Sequence, residues 1–393
     1  MTQLSQRVQR IKPSATVMLN NRTKELIAQG KNIIALNIGE PDFDTPEHIK
    51  AAAIEAIRAG QTKYTQVDGT PALKKAIIEK FRRENNLTYE AKQVIVSNGA
   101  KHSIFNLLQA LINIGDEVII PAPYWVSYPD MVAMCDGTPV IVTAGIEQDF
   151  KINPQQLEQA ITPRTKLLFL NSPSNPTGVA YTKAELAALG EVLLRHTQVY
   201  ILTDDIYEHV LWSEEGFQNI VNACPELYSR TIVVNGVSKS YSMTGWRIGY
   251  AAGPADIIQA MVTLQSQNTS NPCSISQAAS VAALTGDQSC LKPMVQAFKE
   301  RHDYLAQALN TLPGFQCRVG EGAFYLFPNV EKAIANLGLQ DDFQFAEFLL
   351  TEALVSVVPG TPFGAPGCIR LSYATSMEVL QEAVARIDSA LKL

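Results

Sequence analysis

The sequence predicts an α/β protein in which a mostly parallel central sheet is covered on both faces by helices and accompanied by a smaller α+β unit. Three observations carry this. Between residues 93 and 253, seven short runs rich in β-branched residues alternate with helical patterns, the texture of strands buried on both faces. Residues suited to chemistry repeatedly fall just after those runs, where open parallel sheets bind ligands. After about residue 286 the texture changes to a long helix followed by short strands. Residues 1–46 are therefore expected to be a lead-in joining the small unit, 47–285 a large ligand-binding unit, and 286–393 the small unit.

Bulk properties narrow the class. The 393 residues carry a formal charge of -6, which argues against a broad nucleic-acid-binding surface and favours small-molecule chemistry. Six cysteines show no C-x-x-C spacing and no metal-like pairing with the five histidines, so they read as free thiols in a reducing compartment, and no metal is expected. The opening M-T-Q-L-S-Q-R-V lacks the apolar core of a signal peptide, and no run approaches the roughly 18 apolar residues of a membrane span. A cytoplasmic protein without membrane partners is expected.

In chain order, a helix is predicted over Ser14 to Gln29, ended by Gly30, and a strand over Ile33 to Leu36. The following N-I-G-E-P-D-F-D-T-P is an irregular loop in which Gly39 can let backbone approach a ligand. Thr45-Pro46-Glu47 predicts a helix with a hydroxyl N-cap, closed by Gly60. A loop containing Tyr64 leads to a helix over Pro71 to Glu84. The strands of the sheet follow: Gln93 to Ser97, Glu117 to Ile120, Val140 to Thr143, Lys166 to Leu170, Val199 to Thr203, Thr231 to Val234 and Ile248 to Ala252. Beyond a helix over Lys292 to Leu312, G-F-Q-C-R-V-G-E-G-A-F-Y-L-F-P reads as paired strands around a glycine turn. A helix over Phe343 to Ala353, strands over Val355 to Val358 and Cys368 to Ser372, and a closing helix complete the chain.

The candidate chemistry centres on V-V-N-G-V-S-K-S-Y-S-M-T-G-W-R-I-G, where Lys239 stands between Ser238 and Ser240, eight residues before Arg247. A lysine among small side chains can receive a bulky electrophile, and hydroxyls with a guanidinium suit a phosphate. A lone Ser-Lys-Ser equally suits a solvated loop. Gly99, Ala100 and Lys101 open a helix after a strand, where amides favour an anion. Trp125 suits stacking on a flat ring as well as packing, and Asn175, in N-S-P-S-N-P-T-G, suits a donor as well as a turn. T-D-D-I-Y-E holds carboxylates that are costly to bury unless they face a cation. Arg370, between Ile369 and Leu371, invites either a bidentate carboxylate partner or a structural salt bridge.

G-V-S-K-S-Y-S-M-T-G-W-R-I-G resembles the pyridoxal-phosphate attachment motif of class I aminotransferases. R-I-K-P-S-A-T, G-E-P-D-F-D-T-P-E-H-I, Y-W-V-S-Y-P and M-T-G-W-R-I-G-Y resemble the bacterial and plastid-type branch of aspartate aminotransferases, with Ala122-Pro123 in place of the more usual Ser-Pro. The resemblance runs from Lys12 to the C-terminus. It implies a fold type I pyridoxal-phosphate transferase in which Lys239 bonds the cofactor, while Arg247, Ser238, Ala100 and Lys101 bind the cofactor phosphate. By the same resemblance, Trp125 and Asn175 serve cofactor and substrate. Asp204 faces the ring nitrogen, with Asp205 at the family's usual glutamate position, and Tyr207 bonds the ring oxygen. Gly39 and Arg370 match substrate-carboxylate residues, and Tyr64 matches a tyrosine that reaches the cofactor phosphate across a homodimer interface. Lys101 resembles a residue for the distal carboxylate, with Lys12 and Thr16 as lid contributors. The implied reaction is transfer of the amino group of aspartate to 2-oxoglutarate. Prephenate, aromatic or alanine-type transamination, or a C–S lyase on the same scaffold, are the alternatives.

Overall fold

The computed structural model describes residues 4–11 and 15–392. Lys12 and the side chain of Thr16 lie outside the described residues. Helices Gln6–Gln9 (α1), Ala15–Ala28 (α2), Glu47–Arg58 (α3) and Pro71–Asn85 (α4), with strand Ile34–Ala35 (β1), precede the central sheet. That sheet is built from Val94–Ser97 (β2), Glu117–Ala122 (β3), Thr138–Thr143 (β4), Thr165–Asn171 (β5), Tyr200–Asp204 (β6), Thr231–Gly236 (β7) and Gly249–Ala252 (β8). Each predicted run is present, with its ends moved by a few residues at most.

The strand order is β2-β8-β7-β6-β5-β3-β4, and only β8 runs antiparallel to its neighbours. Alternation explains why its central strands are apolar throughout. Val94, Val96, Ile201 and Val233 pack into the core on one face, and Ile95, Leu202, Ile232 and Val234 into the core on the other. Burying both faces removes the polar positions that a half-exposed strand would show.

A third core gathers Phe298, Leu305, Phe324, Phe345, Leu371 and Ile387 with Ile34 from β1 and Leu36 just after it. Around it lie short strands: Tyr325–Leu326 (β9), Val355–Ser356 (β10), Val358–Pro359 (β11) and Ile369–Ser372 (β12). β12 pairs antiparallel with both β9 and β11, while β10 pairs parallel with β1. The single strand expected over Val355 to Val358 is thus split between two sheets.

Two further expectations are corrected. The segment after Gly314 is not a regular hairpin: it contributes β9 and two isolated antiparallel bridges, Gln316 to Asn329 and Gly322 to Leu211. Its backbone donors are used elsewhere, because Glu321 and Gly322 both donate to Gly178 O, at 3.0 and 2.9 Å. Thr45 does not cap α3; Pro46 holds that position without a side-chain bond. Thr45 Oγ1 instead donates to Ser242 O at 2.7 Å and accepts from Trp246 Nε1 at 3.0 Å, tying the Gly39 loop to the segment before Arg247. In contrast, α4 begins as expected, with Thr70 Oγ1 accepting from the Leu73 amide ahead of Pro71.

Candidate active site

A cavity of about 410 Å³ opens where the parallel strands end, between the central sheet and the short strands β9 and β12. Topology alone delivers most of its lining. The residues after β2 supply Ala100 and Lys101, those after β3 supply Trp125, and those after β5 supply Asn175. β6 ends on Asp204 and is followed by Tyr207; β7 is followed by Ser238 and Lys239. The opposite wall carries Asn37, Gly39, Tyr325 and Arg370. The site residues expected within one chain, Lys12 and Thr16 apart, therefore face one space. Tyr64 does not: it is 91% exposed and borders a separate surface depression with Gly60, Thr65 and Val281.

One end of the cavity is an anion cradle. Helix Ala100–Leu111 (α5) starts after Gly99, whose φ of 87° puts it in the left-handed region, and the amides of Ala100 and Lys101 at the helix start have no intrahelical partner. A Cβ at Gly99 would overlap the Arg247 guanidinium, and one at Gly249 would overlap the Ala100 backbone nitrogen. Glycine at both positions lets the helix terminus, β8 and Arg247 converge. Arg247 is itself held at a φ of 57° and donates to Thr244 O at 2.9 Å. Lys101 Nζ lies 4.6 Å from the centre of the Trp125 ring. Burial, then the Arg247 charge, holds the Lys101 ammonium below its ordinary pKa.

At the cavity floor, Asp204 and Asp205 part company. Asp205 accepts from Thr203 Oγ1 and Asn219 Nδ2 and is fixed away from the cavity. Asp204 accepts from the Tyr128 hydroxyl at 2.6 Å through Oδ2, while its Oδ1 is buried without a partner. Burial pushes the Asp204 carboxyl up to about 6, against the pull of Tyr128, the Ile206 amide and Lys239. A buried carboxylate on the wall of a cavity, with one oxygen lacking a hydrogen bond, is a seat for a cationic group.

Lys239 is partly buried, and its Nζ donates to Gly39 O at 2.8 Å. Burial brings its pKa down to about 8, assisted by Arg370 and Arg247 and opposed by Glu40 and Asp204. An amine so depressed is a usable nucleophile and base near neutral pH. Across from it, Arg370 is 4% exposed, stacks 4.5 Å from the centre of the Tyr325 ring, and donates to Asn175 Oδ1 at 3.0 Å and Asn37 O at 2.9 Å. Its Nε has no partner, and no carboxylate neutralises it within the described residues. A Cβ at Gly39 would come within 2.9 Å of the Tyr325 hydroxyl, so the glycine keeps that approach open.

Residues 31–387 match the family description aminotransferase class I and II. The chain belongs to this family. The aminotransferase is 58% identical over 394 residues to an aspartate/prephenate aminotransferase of Nitrosomonas europaea, covering 99% of each chain. Among solved structures, the aspartate aminotransferase of Rhizobium meliloti superposes with a TM-score of 0.96 at 48% identity, covering 100% of this chain and 99% of that one. The Thermus thermophilus aspartate aminotransferase with maleate gives a TM-score of 0.94 at 44% identity, covering 99% and 100%.

Several lining residues of the aminotransferase escaped sequence reasoning, and four of them bear on the chemistry. Tyr128 lies in the quoted Y-W-V-S-Y-P, three residues after Trp125 on helix Ser127–Met134 (α6), so its spacing was a usable signal. Asn171 ends β5, donates to Asp204 O at 2.8 Å and accepts from the Asn175 amide at 2.9 Å. Asn37 precedes Gly39 in the loop. Tyr325, whose hydroxyl is 3.0 Å from that of Tyr207, sits in the apolar run F-Y-L-F and carries no local sign of its position.

Proposed function

We propose that this aminotransferase uses pyridoxal 5'-phosphate to move the amino group of L-aspartate to 2-oxoglutarate, yielding oxaloacetate and L-glutamate in a ping-pong sequence. The observation that carries the reading is the convergence in one cavity of the Lys239 amine, the unpartnered Oδ1 of Asp204 and the buried Arg370 guanidinium. The residues present fit the cofactor. The cradle of Gly99, Arg247 and the α5 amides suits its phosphate, and Asp204 Oδ1 suits a protonated ring nitrogen. When bound, the group supplies an electrophilic carbonyl carbon and an electron-withdrawing ring.

The chain's own residues then have distinct tasks. Lys239 anchors the cofactor and, once its amine is free, carries a proton to and from the substrate α-carbon. Arg370 takes the substrate α-carboxylate in a bidentate grip, with the Gly39 backbone beside it. Asp204 keeps the ring nitrogen protonated; Asn175 and Tyr207 donate towards the ring oxygen; Trp125 covers the ring face. Ser238, Arg247, Ala100 and Lys101 hold the phosphate, and the Lys101 ammonium also faces the distal carboxylate of a dicarboxylic substrate. In this reading residues 47–285 form the cofactor-binding domain and 286–393, with 1–46, the small domain. The protein is a cytoplasmic homodimer, with Tyr64 reaching the neighbouring subunit's phosphate site. The name of the Nitrosomonas relative favours prephenate as a second amino acceptor.

The test is to load the protein with pyridoxal phosphate and add single amino acids without an oxo acid, following the visible band. Loss of that band with aspartate and glutamate, and little with alanine or tyrosine, is expected. A preference for alanine or tyrosine would replace the substrate, and release of ammonia and pyruvate from a β-substituted alanine would make the protein a lyase. Prephenate as acceptor after loading with aspartate checks the second activity.

A further inference from the structure

Helix α6 brings a phenol against the carboxylate at the cavity floor. Tyr128 is 2% exposed, and its ring is clamped by Trp125, edge-on with centres 5.4 Å apart, and by Phe169 at 4.7 Å. The hydroxyl cannot swing away without repacking those rings. It occupies Asp204 Oδ2 at 2.6 Å, while the Asn171 amide holds the Asp204 carbonyl at 2.8 Å. Only Oδ1 is left to meet a charge in the cavity. A carboxylate tied at one oxygen loses rotational freedom before any ligand arrives, and a donor to it favours the ionised form.

We infer that Tyr128 is a positioning residue: by tying Oδ2 of Asp204 it presents Oδ1, ionised, to the ring nitrogen of the cofactor and links that carboxylate to Trp125. This rests on the role given to Asp204 above. The other titratable groups around the pair are Lys239 from the loop after β7 and Asp205 and Tyr207 from the segment after β6. Since the Tyr128 bond pulls the Asp204 pKa down, its removal lets the carboxyl protonate at higher pH.

Tyr128→Phe keeps the ring packing and deletes the donor. The expected result is a kcat lower by about 10- to 100-fold, the scale of one hydrogen bond to a charged group, with KM for both substrates within about twofold. The acid limb of the kcat profile moves up by about one pH unit, and pyridoxal phosphate dissociates about tenfold more readily while the melting temperature stays close to that of the parent. In the double variant with Asp204→Ala, loss of the hydroxyl adds nothing further if it acts through that carboxylate. Parent-like kcat, acid limb and cofactor affinity in Tyr128→Phe, or losses in the double variant that simply multiply, overturn the inference. Near-parent kcat in Asp204→Ala alone would instead overturn the role of Asp204.

Discussion

One wall of the cavity hangs on a single seven-stranded sheet, whereas the opposite wall is carried by strands of two and four residues and by the loop after β1. On the sheet wall, neighbours in register become neighbours in the site: Asn171 on β5 is the Cα partner of Asp204 on β6. Opposite, Arg370 pairs with Val358, and Tyr325 pairs with Ser372, so each residue depends on a different strand pair. The walls meet through Lys239 to Gly39 O at 2.8 Å, Arg370 to Asn175 at 3.0 Å and Tyr207 to Tyr325 at 3.0 Å. All of these bridging side chains line the cavity. Under the proposed function the sheet wall holds the cofactor and the opposite wall the substrate, so a ligand replaces some of the contacts that join the walls.

Breaking the sheet wall at its centre has the largest expected effect. Lys239→Ala removes both the anchor and the proton carrier and lowers kcat by at least about 100- to 10,000-fold, with the fold retained by circular dichroism. Near-normal transamination would separate the chemistry from this wall altogether. A pH series sharpens the point. The amine is the reactive form, so capture of pyridoxal phosphate by the cofactor-free protein rises as pH passes about 8 and then levels, rather than climbing towards the ordinary lysine value of 10.5. A rate still climbing steeply above pH 9 would contradict it.

On the opposite wall, Arg370→Lys keeps the charge and loses the planar fork. We expect KM for both amino donor and oxo acid to rise by about 10- to 100-fold, the scale of a lost charge-assisted bond, with pyridoxal phosphate affinity unchanged. If cofactor affinity falls as far as substrate affinity, the division of labour between the walls fails.

The same contrast governs what could be read from the chain. The sheet wall was legible because β-branched runs mark strands and open parallel sheets expose their carboxyl ends, which put the segments carrying Lys101, Trp125, Asn175, the Asp204-Asp205 pair and Lys239 at one edge, while the resemblance to class I aminotransferases chose the residues within them. Asp204 and Asp205 are told apart by the donors that meet them, Tyr128 for the first and Thr203 with Asn219 for the second, and Tyr128 lies 76 residues and Asn219 14 residues away along the chain. Arg370 stood out because a guanidinium between Ile369 and Leu371 has no apolar explanation. Tyr325, inside an apolar run, has one. The missing hairpin fails for a related reason: the partner of Glu321 and Gly322 is the carbonyl of Gly178, more than a hundred residues away, which no local pattern announces.

Lys101 is a residue on the sheet wall assigned to the cofactor phosphate and to the distal carboxylate of the substrate, and its expected effect is the smallest of the series. Its ammonium rests over Trp125, with a pKa held down by burial and by Arg247, and among the described residues no carboxylate pairs with it before a ligand arrives. Lys101→Ala leaves the helix-terminal amides and Arg247 in place for the phosphate. It should therefore weaken aspartate and 2-oxoglutarate by about 1–3 kcal/mol in kcat/KM, while alanine, which has no second carboxylate, changes little. Equal losses for aspartate and alanine, together with weaker pyridoxal phosphate binding, would return Lys101 wholly to the cofactor side. A selective loss for dicarboxylic substrates would mean that the sheet wall also reads the substrate, through one side chain at the rim of the phosphate cradle.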